Sequence, residues 1–442
     1  MMTDSKTMRL GLVILALGVL AATAAWGQER AGEAGVDRRE TQLIFVGDSA
    51  AQGWNDRGKK TWEKFYPKRK GLNLGTAGDT AEKIVWRLEH GYVEGMAPRL
   101  AIVMLGTDFD YGKGSAAEEL ASGMKAVVNK LKEKLPKTRV LMVGILPQGE
   151  KDDPRRAVIA KANELIKKQA DAEAGVFYHN IGYAFLAEDG AAIKELMPDG
   201  VHFSEKGYEV LGEFLDAMIG SLLNETQYTT TPVPQAKNDW WYPYVQKLNE
   251  RVRQGNVDLI FVGDSLANGY VNTGKETWDK YHGRRNAVNL GISTNNTQNE
   301  LWQLEHGNID GIAPKLAIVL AGTGNAVSGG SAEDAAAGVR AIVDTLRAKL
   351  PKTKILLLAL FPRGETEDFP TRVANEKVNA IISNYGDDKM VFFLNINDRF
   401  VNEDGTLRKE LYEPDMTHLA SKGYAVWAEA IEPTVAELMG EK

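Results

Sequence analysis

The sequence predicts an α/β protein of two tandem three-layer domains, each with a central parallel sheet between two layers of helices. One observation is a phrase written twice, "LIFVGDSAAQGW" from Leu43 to Trp54 and "LIFVGDSLANGY" from Leu259 to Tyr270, 216 residues apart. The other is that short apolar runs alternate with amphipathic segments inside each copy. Continuous apolar strands separated by helices are typical of a parallel sheet that is covered on both faces.

The elements of the first copy follow this alternation. One segment between two apolar runs has a helical period, because its apolar residues recur every three or four positions. These residues are Leu120, Met124, Val127, Val128, Leu131 and Leu135. The strands are predicted over Leu43–Val46, Leu72–Leu74, Leu100–Leu105, Val140–Leu146 and Val176–Ile181.

Two loops of the first copy are candidates for a functional site. Gly47-Asp48-Ser49 follows the first strand and Gly106-Thr107 follows the third. Ligands of parallel α/β sheets bind at the carboxyl ends of the strands. Both loops are therefore expected on the same edge of the sheet. Because Gly, Asp and Ser are also ordinary turn residues, the motif alone does not establish a nucleophile.

The repeat extends far beyond the opening phrase and defines the domain organisation. "NLG", "LEHG", "KLPKT" and a closing "PDxxH" motif recur in the same order in both copies. The predicted domains are residues 40–224 and 240–442, joined by a proline- and threonine-containing linker over 225–239. The second copy has a lead-in, "WWYPYVQKLNERVRQG", which predicts a short helix closed by Gly255.

The first residues indicate export. Lys6 and Arg9 precede a short apolar run that ends in small residues, as in a secretory signal peptide over residues 1–27. An uncleaved membrane anchor is the alternative, but the run is short and no second one follows. We therefore expect an exported protein, periplasmic or extracellular, with no stable membrane anchor after cleavage.

Composition excludes several classes of site and partner. The formal charge is −7 and no basic block occurs, so nucleic acid is not an expected partner. The chain has no cysteine, which excludes thiol nucleophiles, Cys-ligated metals and disulfides. No metal or organic cofactor is expected.

The six histidines of the chain indicate which residues could act as a catalytic base. His90 and His306 lie late in matching helices, and His179 and His282 have no counterpart in the other copy, so structural roles are expected for all four. The remaining two, His202 and His418, each follow an aspartate by three residues and a GDS serine by 153 residues. An Asp that caps a helix beside a surface His is the alternative. The matched serines favour instead two Ser-His-Asp sets, which are Ser49, His202 and Asp199 in the first copy and Ser265, His418 and Asp415 in the second.

With these motifs each copy resembles the SGNH (GDSL-type) hydrolase family, in the branch similar to platelet-activating-factor acetylhydrolase subunits. The resemblance covers about residues 40–224 and 255–440. It implies a flavodoxin-like fold, with the two serines as nucleophiles, the two histidines as bases and the two aspartates orienting them. Members of this family share several conserved sequence blocks, of which the GDS motif is the first. The resemblance also implies an oxyanion hole made by the N–H of the serine, the N–H of a glycine in the second block and the side-chain amide of an asparagine in the third block.

Both copies depart from the family in that oxyanion hole. The first copy keeps Gly78 but has Asp108 in the asparagine position. The second copy has Thr294 in place of the glycine, Gly324 in the donor position and Asn325 one residue later. An ionised carboxylate has no proton to donate and would repel an oxyanion. Loss of one such donor costs on the order of 10²- to 10³-fold in kcat.

The resemblance implies a serine esterase that removes small acyl groups, with acetyl favoured, through an acyl-enzyme, and the first residues add the expectation that it is secreted. Export favours a carbohydrate ester over other small-molecule esters as the substrate. A different class is also open, because the altered third blocks fit a degenerate domain that binds glycans or a partner protein. A lipid esterase of the lysophospholipase or thioesterase type is a further alternative.

Overall fold

The structure is a computed structural model that describes residues 38–112, 114–187, 189–225, 229–236, 238, 240–327 and 330–441. The predicted signal peptide lies outside these residues. Within the described ranges, no helix combines the length and the apolar character needed to cross a membrane.

The first sheet has five parallel strands in the order β2-β1-β3-β4-β5. The prediction is confirmed, although β4 and β5 end earlier than expected. Their last apolar residues leave the sheet and enter the loops at its carboxyl edge. The strands are β1 (Leu43–Gly47), β2 (Gly71–Asn73), β3 (Leu100–Met104), β4 (Arg139–Val143) and β5 (Val176–His179).

The second sheet repeats this topology, with five parallel strands in the order β7-β6-β8-β9-β10. In both sheets the strand before the GDS motif lies next to the centre and is fully buried. The strands are β6 (Leu259–Gly263), β7 (Ala287–Asn289), β8 (Leu316–Leu320), β9 (Lys354–Leu358) and β10 (Val391–Leu394).

Helices alternate with the strands in both copies. The first series is α1 (Ser49–Gln52), α2 (Lys59–Phe65), α3 (Ala81–Glu89), α4 (Ala116–Lys134), α5 (Arg155–Lys167) and α6 (Glu205–Leu222). The second series is α7 (Trp241–Arg253), α8 (Ser265–Tyr270), α9 (Lys275–His282), α10 (Thr297–Glu305), α11 (Thr323–Val327), α12 (Ala332–Lys349), α13 (Pro370–Ile382) and α14 (Ser421–Met439). The amphipathic segment predicted from Leu120 is α4, whose apolar stripe is buried.

The glycine of each GDS motif is required by the sheet itself. A Cβ atom at Gly47 would lie 1.8 Å from the carbonyl oxygen of Met104, and one at Gly263 would lie 2.2 Å from that of Leu320. No side chain fits at such a distance. The neighbouring strand therefore dictates this glycine, whatever the serine two residues later does.

The chain divides into two compact units. The first comprises the described residues up to Ile145 together with Ala157–His179. The second comprises Leu146–Arg156 and the described residues from Asn180 onward, so it includes α6. The domain boundaries at 40–224 and 240–442 stay a prediction from the repeat.

The lead-in of the second copy forms a helix, as predicted. It is α7, and Gly255 closes it with a φ of +70°. Trp241 is completely buried and its ring lies 5.4 Å from that of Trp302, whereas Trp240 remains 45% exposed. One tryptophan therefore packs on the second unit, and the other faces solvent.

Candidate active site

The second copy brings its predicted Ser, His and Asp together in one hydrogen-bonded chain. Nε2 of His418 lies 3.0 Å from Oγ of Ser265, and Nδ1 of His418 lies 2.6 Å from Oδ2 of Asp415. Burial opposes ionisation of Asp415, but hydrogen bonds from the side chain and backbone of His418 lower its pKa. An imidazole that donates its Nδ1 proton to this carboxylate presents Nε2 to the serine as an acceptor.

Local structure explains why Ser265 stands in the right place. The serine is the first residue of α8, directly after β6 ends at Gly263. Asp264 caps this helix, since its Oδ1 accepts a hydrogen bond from the N–H of Leu266 at 3.0 Å. The cap turns the chain sharply at the carboxyl edge of the sheet and leaves the serine hydroxyl facing His418.

In the first copy, the side chain of Asp108 lies against the nucleophile candidate. Its Oδ2 accepts hydrogen bonds from Oγ of Ser49 at 2.5 Å, from N of Ser49 at 3.0 Å and from N of Gly78 at 2.8 Å. Two backbone N–H groups therefore converge on one point, and a carboxylate oxygen occupies that point. The predicted position of Asp108 is next to the serine, but its side chain accepts these protons and donates none.

Asp48 connects the two loops that hold these groups. Its Oδ2 accepts hydrogen bonds from the N–H groups of Gly106 at 2.7 Å and Thr107 at 2.6 Å, while Oδ1 accepts from Ala50. Burial, with a smaller contribution from the negative charge of Asp108, raises the pKa of Asp48 to about 6, although the backbone hydrogen bonds that it accepts oppose this shift. The expected meeting of the Gly47 and Gly106 loops on one edge is thus seen.

Asp199 and His202, which belong to the second compact unit, form a pair of their own. His202 Nδ1 lies 2.8 Å from Oδ2 of Asp199, and the backbone N–H of His202 donates to Oδ1 at 2.7 Å. Burial opposes ionisation of Asp199, but these hydrogen bonds outweigh burial and lower the pKa of Asp199 to about 2. The approach of His202 to Ser49 stays a prediction.

Thr294 takes the backbone conformation that glycine has in the other copy. Its φ is +71°, and that of Gly78 is +72°. In the first copy this conformation directs the Gly78 N–H to the same oxygen as the serine N–H. Thr294 therefore shares with Gly78 the left-handed φ that accompanies this arrangement in the first copy.

The third block of the second copy has no side-chain donor in the expected place. A Cβ atom at Gly324 would lie 2.1 Å from Oδ1 of Asn296, so the side chain of Asn296 leaves no room for one there. Asn325 is buried, and both polar atoms of its side-chain amide form hydrogen bonds with residues of α10. Its Oδ1 accepts from the N–H of Thr297 at 2.9 Å and its Nδ2 donates to Gln298 at 3.0 Å. The side chain of Asn325, which the sequence places one residue after the donor position of the oxyanion hole, therefore bonds to the first residues of α10.

The other four histidines make structural contacts. Nδ1 of His90 and of His306 each lies 2.7 Å from a tryptophan carbonyl one turn earlier, and each ring stacks on that tryptophan. His179 and His282 are buried. Burial lowers the pKa of His282 to about 3. Among the residues that the structure describes, no three His, Asp or Glu side chains are grouped so as to hold a metal ion.

A buried glutamate beside the second site was not foreseen. Glu300 is 2% exposed, and neither of its carboxyl oxygens has a hydrogen-bond partner in the described part of the chain. Burial raises its pKa well above the ordinary value, and the charge of Asp264 raises it further. A comparison of the two copies could have indicated that Glu300 is buried, because the matching residue of the first copy, 216 positions earlier, is the apolar Ile84.

This glutamate predicts a pH-dependent stability. Because its pKa is higher in the folded state, its protonation stabilises the fold most below the unfolded pKa, and this stabilisation is lost as the pH rises through the folded pKa. We expect the free energy of unfolding to fall as the pH rises above about 4.5. Glu300→Ile should flatten that slope and raise the free energy of unfolding at pH 7 by about 1–3 kcal/mol.

Denaturant unfolding at several pH values checks this expectation. Glu305→Gln, an exposed change on the same helix, is the matched control and should behave as the wild type. A Glu300→Ile protein with the wild-type slope and lower stability would show that the carboxyl group is satisfied in solution.

Comparison with known proteins gives a consistent family relationship. A family model described as GDSL-like Lipase/Acylhydrolase matches residues 45–210 and 261–426. Platelet-activating factor acetylhydrolase IB subunit alpha2 of Rattus norvegicus is 33% identical over 188 residues, 42% of this chain and 80% of the relative. The Homo sapiens protein of that name is 32% identical with the same coverage. A GDSL-like lipase structure from Bacteroides thetaiotaomicron has 19% identity and a TM-score of 0.37, covering 44% of this chain and 97% of its own.

Proposed function

Because the chain belongs to the GDSL-like lipase/acylhydrolase family, whose model matches both copies, we propose that it is a serine esterase whose working site is in the second copy. The observation that carries this proposal is the hydrogen-bonded chain from Asp415 through His418 to Ser265, with distances of 2.6 and 3.0 Å. A nucleophile, a base in reach of it and a group that orients the base are the parts that acyl transfer requires.

In the proposed reaction Ser265 Oγ attacks the ester carbonyl carbon while Nε2 of His418 takes its proton. The carbonyl oxygen becomes an oxyanion, which the N–H groups of Ser265 and Thr294 stabilise. His418 then returns the proton to the leaving alcohol, and an acyl-enzyme remains on Ser265. Water, deprotonated by His418, hydrolyses this acyl-enzyme and restores the serine. Asp415 holds the imidazole in the tautomer that both steps need.

The proposed substrate is a small acyl ester, in particular an acetyl ester of a carbohydrate. The acetylhydrolase named among the relatives supports the acetyl group. We also propose, from the signal-like first residues, that the protein is exported to the periplasm or outside the cell, and export favours a carbohydrate alcohol. Acetate release from acetylated oligosaccharides, compared with release from acetylated phospholipids, tests this preference.

For the first copy we propose a domain with little or no esterase activity. Asp108 supports this, since its carboxylate oxygen takes up the N–H groups of Ser49 and Gly78 that an oxyanion would need. Beside Asp108 opens a cavity of about 770 Å³. Trp86 lines this cavity and is 48% exposed. An exposed aromatic ring in a cavity of this size suits a binding domain, such as one for glycans.

Active-site titration tests the division of roles between the copies. A fluorophosphonate reacts with serines that are activated by a base, so we expect one labelled serine per chain, located at Ser265 by peptide mass. Ser265→Ala should abolish the label, and Ser49→Ala should leave it. A wild-type protein with no label would reject the esterase proposal, and a label on Ser49 of similar intensity would reject the division of roles.

A further inference from the structure

Thr294 has a backbone conformation that is unfavourable for its residue type. A φ of +71° lies in the left-handed region, where a β-branched side chain collides with its own backbone. A threonine in this conformation is strained and persists only where its surroundings hold it. Gly78, in the same place of the first copy, has no side chain and needs no such support.

The support at Thr294 comes from two residues that precede α7, Gln235 and Asn238. The side-chain amides of these two residues reach the hydroxyl of Thr294. Nδ2 of Asn238 lies 3.3 Å and Nε2 of Gln235 lies 3.5 Å from Oγ1 of Thr294. Both amides can donate, and the hydroxyl oxygen can accept from both, so together they restrict the side chain and the backbone to which it is attached.

A residue before these two amides and one after them are themselves hydrogen-bonded close to Thr294. Before them, the N–H of Val233 donates to the carbonyl of Gln298 at 3.0 Å, and Asn299 Nδ2 donates to the carbonyl of Val233 at 2.9 Å. After them, Nε1 of the buried Trp241 donates to Oδ1 of Asn295, the neighbour of Thr294, at 2.7 Å. Gln235 and Asn238 therefore lie in the sequence between two residues, Val233 and Trp241, that are bound to the loop and helix around Thr294.

We infer that Gln235 and Asn238 are positioning residues that hold Thr294 in the left-handed conformation, so that its N–H points to the developing oxyanion. This inference rests on the proposed esterase function of the second copy. It also explains a difference between the copies. Directly before the copy with glycine at this position stands the short polar "RAGEAGVDRRE", and before the copy with threonine stands the sequence that carries Gln235 and Asn238.

A suppression experiment tests the inference in the full-length protein. With 4-nitrophenyl acetate as substrate, Gln235→Ala combined with Asn238→Ala should lower kcat about tenfold and change KM less than about twofold, because the oxyanion contact strengthens in the transition state. Thr294→Gly, added to that double variant, should restore kcat to within about threefold of wild type, since glycine adopts this conformation unaided. Asn384→Ala, which removes an exposed amide two residues after the end of α13, is the control and should leave both constants unchanged.

The outcomes separate this inference from the esterase proposal. If the wild type hydrolyses the ester and the double variant keeps the wild-type kcat, the positioning role is wrong and the esterase proposal stands. If kcat falls but Thr294→Gly does not restore it, the amides act by another route and the inference is again wrong.

A wild type without activity rejects the esterase proposal, and thermal unfolding then tests the support of Thr294 by itself. Thr294→Gly should raise Tm more in the double variant than in the wild type. Equal changes in the two backgrounds would overturn that support.

Discussion

Replacing Ser265 with Ala is expected to lower kcat for a small acetyl ester on the order of 10⁴-fold or more, while Ser49→Ala leaves kcat within about twofold of the wild type. The reason is that the hydroxyl of Ser265 is in hydrogen-bond contact with a base, Nε2 of His418, at 3.0 Å. The hydroxyl of Ser49 is in contact with a carboxylate oxygen at 2.5 Å. Steady-state hydrolysis of 4-nitrophenyl acetate by the two matched variants measures the difference.

Replacing Asp415, the residue that orients His418, with Asn is also expected to lower kcat. An amide in this place can donate to Nδ1 of His418 and so favour the tautomer whose Nε2 proton faces the serine. We expect kcat to fall by on the order of 10⁴-fold with a modest change in KM. Asp199→Asn is the matched control in the first copy. Equal losses from Asp199→Asn and Asp415→Asn would show that both copies carry the activity.

Removing the carboxylate of Asp108 is expected to activate the first copy. In a Ser265→Ala background, which silences the second copy, Asp108→Asn should raise kcat for a small acetyl ester tenfold or more with little change in KM. The change removes a negative charge from the point where the N–H groups of Ser49 and Gly78 converge, and supplies a side-chain donor. Asp108→Gly, which copies Gly324 of the second site, vacates that point without adding a donor.

The comparison of these two variants separates repulsion from donation. Equal gains would show that the negative charge is the obstacle, and a larger gain with Asn would show that the amide donor matters. Circular dichroism confirms that each variant is folded. If both fold and Ser49 still resists fluorophosphonate, the first copy is a binding domain whose serine has no working base.

Much of this protein could be inferred from its sequence by comparing its two halves. The order of strands and helices followed from the apolar runs, because burial on both faces of a parallel sheet requires them to be apolar throughout. The set of Ser265, His418 and Asp415 followed from equal spacing in two copies, which a chance Asp and His would not show. Even the departures at Asp108 and Thr294 were visible as differences between aligned blocks.

The direction in which polar groups point could be decided only by the tertiary structure. Asp108 was expected at the oxyanion position, yet only the fold shows its Oδ2 accepting from two backbone N–H groups and a hydroxyl. Asn325 was noted one residue after the donor position, and only the fold shows that its Oδ1 accepts from the N–H of Thr297 at the start of α10. A side chain's hydrogen-bond partners depend on which distant backbone groups lie within about 3 Å of it. Residue type and spacing along the chain determine the strands, helices and candidate residues, whereas those distances arise only when the loops at the sheet edge have packed.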